Sequence, residues 1–167
     1  MALASGTLAS GIEGMTPTGS EASAISAFVS AFEAYFNGAT VSGAPLVPGS
    51  VGAGLSAMQS AMTGVSASGQ GAARIASSVS AFWTAQLGLA TSMWVTAPIV
   101  LVPPIVPPAG LGGLQAALEA VFASNLAGEL SLADAASAVA GAIHTANQGA
   151  TVPGSVPPAA PAPIPIL

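Results

Sequence analysis

Ser131, Asp134 and His144 have the side-chain types of a hydrolytic triad, namely a nucleophile, a carboxylate and a base. Such a triad works only when direct hydrogen bonds join its members. The spacing Ser131-x-x-Asp134, like Thr18-x-x-Glu21 earlier in the chain, is typical of a helix N-terminus. Asp134 and His144 would then lie on one helix, about 15 Å apart along its axis. We therefore predict no triad and interpret His144 as a residue near the helix C-terminus, where the dipole favours a cation.

The other charged side chains offer no recognisable active site. Glu119 and Glu129 are close in sequence, but nothing marks them as a glycosidase pair, and solvated or capping roles fit them better. Arg74 is the only cation of the chain. It either pairs with Glu21 or stands alone as a solubilising charge. One histidine and no cysteine exclude a zinc site built from several such ligands. The sequence therefore predicts that the protein is not an enzyme and has no catalytic, cofactor-binding or metal-binding residue.

The composition excludes further classes of protein. Only 4% of the 167 residues are charged, against roughly 25% in an ordinary soluble domain. A net charge of −5 with a single cation excludes nucleic-acid binding through basic contacts. Without cysteine there is no disulfide framework. The mean hydropathy is +0.76, but five prolines interrupt the most apolar stretch, 94–114, so we expect no membrane-spanning helix there.

The sequence repeats itself at two fixed offsets, which predicts the fold. The tetrapeptide 29–32 recurs at 79–82, an offset of 50, and 38–43 resembles 149–154, an offset of 111. We predict one domain, 1–167, built from units of about 1–50, 51–109 and 110–152 and followed by a Pro-rich arm, 153–167. Each unit is predicted to contain a helix, a turn, a second helix and an extended segment. Val100–Val102 is the best candidate for a strand. The fold class predicted is all-α: three helical hairpins about a pseudo-threefold axis, with extended Pro-rich connections and a C-terminal extended arm.

A core poor in large side chains predicts that this protein depends on its neighbours. Alanine, glycine and serine make up 78 residues, and each buries little area. We expect a small set of aromatic residues to anchor the core: Phe28, Phe32, Phe36, Phe82, Trp83, Trp94 and Phe122. A lone domain of this kind should be marginally stable, so we expect it to form a homo-oligomer whose partners cover its weakly charged surface.

The end of the Pro-rich arm is the predicted interface. Its candidate contact residues are prolines and alternating aliphatic side chains: Pro161, Pro163, Ile164, Pro165, Ile166 and Leu167. Because proline has a fixed φ, the arm loses little entropy when it docks. Our hypothesis places it in a groove of an adjacent subunit. The alternative is an arm that folds onto its own domain.

The chain is rich in alanine, glycine and serine, is nearly free of charge, and contains the segments SAFW at 80–83, AIHTANQGATV at 142–152 and PIL at 165–167. In these features it resembles small virion structural proteins of tailed bacteriophages. The resemblance implies a capsid, neck or tail component without enzymatic activity, assembled in the host cytoplasm with copies of itself and other virion proteins. It brings no site residues with it. The alternative is a secreted or membrane-associated Ala/Gly-rich helical protein that binds a partner.

Overall fold

Six helices form the core of the described chain. The computed structural model describes residues 3–15, 20–41, 44–45, 49–63, 70–87, 100–101, 106–155 and 162–165. The helices are α1 (Ser5–Glu13), α2 (Glu21–Phe36), α3 (Gly52–Met62), α4 (Gly71–Gln86), α5 (Leu111–Leu126) and α6 (Leu132–Asn147). The strands are β1 (Thr40–Val41), β2 (Ala44–Pro45), β3 (Val100–Leu101), β4 (Thr151–Ser155) and β5 (Ala162–Pro165). The helices contain most of the buried hydrophobic residues, so the predicted all-α class is confirmed.

The helices pack in chain order and close on themselves. Each helix contacts the next one along the chain, and α6 returns to pack against α1. The second helices of the three pairs, α2, α4 and α6, are each 16 residues long. They begin at 21, 71 and 132, which are separated by the offsets of 50 and 111 that the sequence repeats show. Superposition of the three units about a pseudo-threefold axis stays a prediction.

Side-chain caps fix the start of two of these helices. Ser131 caps α6 as predicted: its hydroxyl accepts a hydrogen bond from the Asp134 amide at 3.1 Å. At α2 the prediction from Thr18-x-x-Glu21 was wrong, because Glu21 is the first helical residue and Ser20 is the cap. The Ser20 hydroxyl accepts from the amide of Ser23 at 3.2 Å. A second hydroxyl lies directly before the helix, and the motif alone did not distinguish between the two.

Aromatic side chains from α2 and α4 meet at the centre of the core. The ring of Phe82 lies 4.8 Å from that of Phe36 and 5.0 Å from that of Phe32, centroid to centroid. Trp83 lies 5.6 Å from Phe36 in an edge-on arrangement. These four residues and Phe28 are buried, as predicted. The other two predicted anchors differ: Phe122 is only half-buried on α5, and Trp94 lies outside the described residues.

Short strands follow each helical pair. β1 pairs with β2, while β3, β4 and β5 form an antiparallel sheet in the order β3-β4-β5. Two residues of the predicted strand at Val100–Val102 form β3, and Val102 lies outside the described residues. Val106 and Thr151 add a backbone pair beside this sheet. None of the helices in the described ranges is long and apolar enough to span a membrane.

Candidate assembly surface

The described part of the C-terminal arm pairs with its own chain. β5 lies antiparallel to β4, with Ile164 opposite Val152 and Pro163 opposite Pro153. Of the six predicted interface residues, Pro163, Ile164 and Pro165 therefore belong to a sheet within the protomer, which is the alternative that the sequence left open. Pro161, Ile166 and Leu167 lie outside the described residues.

The turn between α5 and α6 exposes two large apolar side chains, which the sequence reasoning missed. Leu126, at the end of α5, is 88% exposed, and Leu132, at the start of α6, is 69% exposed. We call the segment 126–132 the α5–α6 tip. Gly128, with φ of 75°, allows the chain to reverse there. Its amide donates to the Asn125 carbonyl, and the Glu129 amide donates to the Ser124 carbonyl. These two backbone hydrogen bonds fix the positions from which the side chains of Leu126 and Leu132 project into solvent.

A shallow groove runs between α5 and α6. Its volume is about 310 Å³, and small residues dominate its lining: Gly110, Gly113, Leu114, Ala117, Gly141, Ala142, Thr145 and Ala146. A Cβ atom added at Gly113 or Gly141 would meet nothing within 4 Å. Each glycine inside a helix costs about 0.5–1 kcal/mol relative to alanine. No contact within the described chain requires the absence of a Cβ atom at these two positions.

The charged side chains form one ion pair, and the remaining carboxylates are spread over the surface. Arg74 Nη1 lies 2.6 Å from Glu21 Oε1, which confirms the pairing that the sequence offered as one of two possibilities. The other acidic residues are all exposed: Glu13, Glu33, Glu119, Glu129 and Asp134. Over the described ranges, His and acidic side chains nowhere come together in a group of three that could hold a metal ion.

The structure separates the three residues of the apparent triad. Ser131 and Asp134 are at the start of α6, whereas His144 lies in its last turn. His144 Nδ1 instead shares a hydrogen bond of 3.1 Å with the hydroxyl of Tyr35 on α2. Its Nε2 lies 3.1 Å from Nε2 of Gln148. His144 therefore links the buried core to the surface near the C-terminus of α6.

A second buried polar contact joins α4 to α6. The indole N–H of Trp83 donates to Oδ1 of Asn147 at 2.6 Å, and the side-chain amide of Asn147 donates through Nδ2 to the Ile143 carbonyl at 2.9 Å. Tyr35 and Asn147 are both almost completely buried, and neither was predicted to be in the core. Burial raises the pKa of Tyr35 well above its usual range, and a weaker interaction with Asn147 acts in the opposite direction. These groups orient three helices within the core.

The raised pKa of Tyr35 predicts that the folded protein loses stability at alkaline pH. Because the pKa of Tyr35 is higher in the folded protein, its contribution is fully present below the unfolded pKa of about 10 and decreases as the pH rises above it. We expect the free energy of unfolding to fall by about 1.4 kcal/mol per pH unit in that range. Urea unfolding at several pH values between about 9 and 11.5 measures the slope.

The control for this experiment is Tyr35→Phe. The chain has one tyrosine, no lysine and no cysteine, so few other groups titrate in this range. The variant should show an almost flat dependence on pH. An equal slope in the variant and the wild type would contradict the assignment to Tyr35.

No protein-family model, curated protein or solved structure matches the chain.

Proposed function

We propose that this protein is a structural subunit of a bacteriophage virion, a capsid, neck or tail component, that acts by packing against copies of itself and against other virion proteins. The observation that carries the proposal is the exposure of Leu126 and Leu132 at the α5–α6 tip. Water contact with such side chains is unfavourable by about 25 cal/mol for each Å² of apolar surface. Burial against a neighbouring subunit removes this penalty.

The charges and the small residues support packing rather than ionic attachment. The single cation is paired with Glu21 and its other two nitrogens are buried, and the remaining charged side chains on the described surface are carboxylates. Ion pairs between copies therefore contribute little, and apolar contact must supply the affinity. The groove between α5 and α6, lined by glycine and alanine, allows a neighbour's backbone to come close.

One observation favours the alternative, a secreted or membrane-associated helical protein that binds a different partner. The pairing of β5 with β4 keeps that part of the arm on its own protomer, as in a self-contained domain. Such a protein would use the α5–α6 tip for its partner but would remain monomeric in solution. Its oligomeric state therefore distinguishes the two proposals.

Replacing both exposed leucines with glutamate should abolish self-association. Buried in a contact between subunits, each new carboxylate would lose its hydration without gaining a partner, since the chain offers no free cation nearby. We expect the wild type to sediment as a multiple of 15.8 kDa and the Leu126→Glu/Leu132→Glu variant as a monomer with unchanged circular dichroism. Electron microscopy of the wild type should show closed rings, tubes or shells.

The matched control is Ser80→Glu, which adds a carboxylate to an exposed position on α4. It should assemble like the wild type. A wild-type protein that stays monomeric at every concentration would contradict the virion proposal and favour the partner-binding alternative. Assembly of the double variant would show that the α5–α6 tip is not the contact.

A further inference from the structure

A second cavity lies between the N-terminal halves of α2 and α4, away from the α5–α6 tip. Its volume is about 230 Å³. Among the described residues, its lining is apolar except for one ion pair: Met15, Ala24, Ile25, Phe28, Met62, Gly71 and Ile75, with Glu21 and Arg74. The only cation in a chain of 167 residues thus lines an apolar cavity.

Arg74 is only partly bonded in this position. Its side chain is 19% exposed, and Nη1 is bonded to Glu21 Oε1 at 2.6 Å. The other two guanidinium nitrogens, Nε and Nη2, are buried and have no hydrogen-bond partner anywhere in the described structure. Buried donors almost always have partners, because an unsatisfied one loses its hydration without compensation. The cation also lies in the first turn of α4, where the helix dipole disfavours it, and a bound anion would offset both costs.

We propose that this cavity binds a small amphipathic carboxylate. The Nε and Nη2 groups form one edge of the planar guanidinium, which matches the two oxygens of a carboxylate. The apolar chain of the ligand packs against Phe28 and the two methionines, Met15 and Met62. Both nitrogens are enclosed, so entry requires side-chain movement, for which the unbranched, half-buried methionines are suited.

The size of the cavity suits a ligand with a short apolar chain. A volume of about 230 Å³ corresponds to roughly eight water molecules in the liquid. This accommodates a medium-chain carboxylate such as octanoate. The proposal is independent of assembly, since it involves neither Leu126 nor Leu132.

The experiment uses sodium octanoate and the full chain, observed by NMR. Arg74 is the sole arginine and there is no lysine, so its Nε–H signal is unique in the spectrum. Octanoate should shift this signal saturably, and 1-octanol, which has the same chain without the charge, should not. Acetate, which has the charge without the chain, should bind at least about tenfold more weakly.

Two variants test the role of the guanidinium by calorimetry. Arg74→Gln should weaken octanoate binding about tenfold or more, because it removes a charge-assisted pair. Glu21→Gln keeps the guanidinium and removes the competing carboxylate, so it should bind at least as tightly as the wild type. The proposal is overturned if octanoate leaves the Arg74 signal unchanged, or if octanol shifts it equally. Because both of these results come from the wild type, they decide the matter even if Arg74→Gln fails to fold.

Discussion

Phe82→Ala is expected to lower the free energy of unfolding by about 3–5 kcal/mol, the range for truncation of a fully buried aromatic side chain. The ring is 0% exposed and lies between the rings of Phe32, Phe36 and Trp83. The variant would leave a cavity that its rigid aromatic neighbours fill poorly. Urea unfolding followed by circular dichroism measures the loss.

The expected loss from Phe82→Ala is a large fraction of the total stability, because the core contains few large side chains. Aromatic residues make up 5% of the sequence, and a typical domain has a total stability of only about 5–15 kcal/mol. Phe122→Ala is the matched control, since Phe122 is half-buried at the edge of the core. It should cost clearly less than Phe82→Ala. Equal losses would show that the aromatic cluster between α2 and α4 is not the centre of stability.

Gly54→Ala is expected to destabilise the protein by about 1–3 kcal/mol through overpacking, although alanine is the better helix former. A Cβ atom at this position would lie 2.5 Å from Gln86 Nε2 and 2.6 Å from a ring carbon of Phe82. Both side chains are fully buried, and Gln86 Nε2 donates to the Val51 carbonyl at 3.0 Å. The new methyl group would therefore separate α3 from α4 or break this hydrogen bond.

The same substitution at Gly113 should have the opposite sign. A Cβ atom there meets nothing within 4 Å, so Gly113→Ala should stabilise the monomer by about 0.5–1 kcal/mol. Melting temperature and urea midpoint report both changes. If both variants lost stability, the added methyl group at Gly113 would be overpacked like the one at Gly54, and the expected gain in helix propensity at Gly113 would be wrong. The Gly113→Ala variant also tests the groove, since added bulk there should weaken assembly without harming the monomer.

Local sequence signals were sufficient to predict the all-α class. The offsets of 50 and 111 between the sequence repeats also separate the starting positions of α2, α4 and α6. The cap of α6 by Ser131 was also readable, because a capping interaction involves residues only three positions apart. The cap of α2 was misplaced by two residues because two hydroxyl side chains compete in that segment.

Buried polar residues were missed because their residue type predicts exposure. Gln86 and Asn147 occupy the same repeat position as Phe36, and all three are 0% exposed. The repeat alignment was the one signal that could have placed them in the core. Their burial depends on partners far away in sequence, such as Trp83 for Asn147, 64 residues apart.

The residues alone were enough to predict that the chain is helical, weakly charged and poor in large core side chains, because those properties depend on composition and on contacts within a few residues. The folded chain was needed to show that β5 pairs with its own β4, that Leu126 and Leu132 protrude, and that Arg74 retains two nitrogens without partners beside a cavity. Each of these outcomes depends on which distant segments come together. That choice depends on shape and on the satisfaction of hydrogen bonds across the whole fold, which no local pattern encodes.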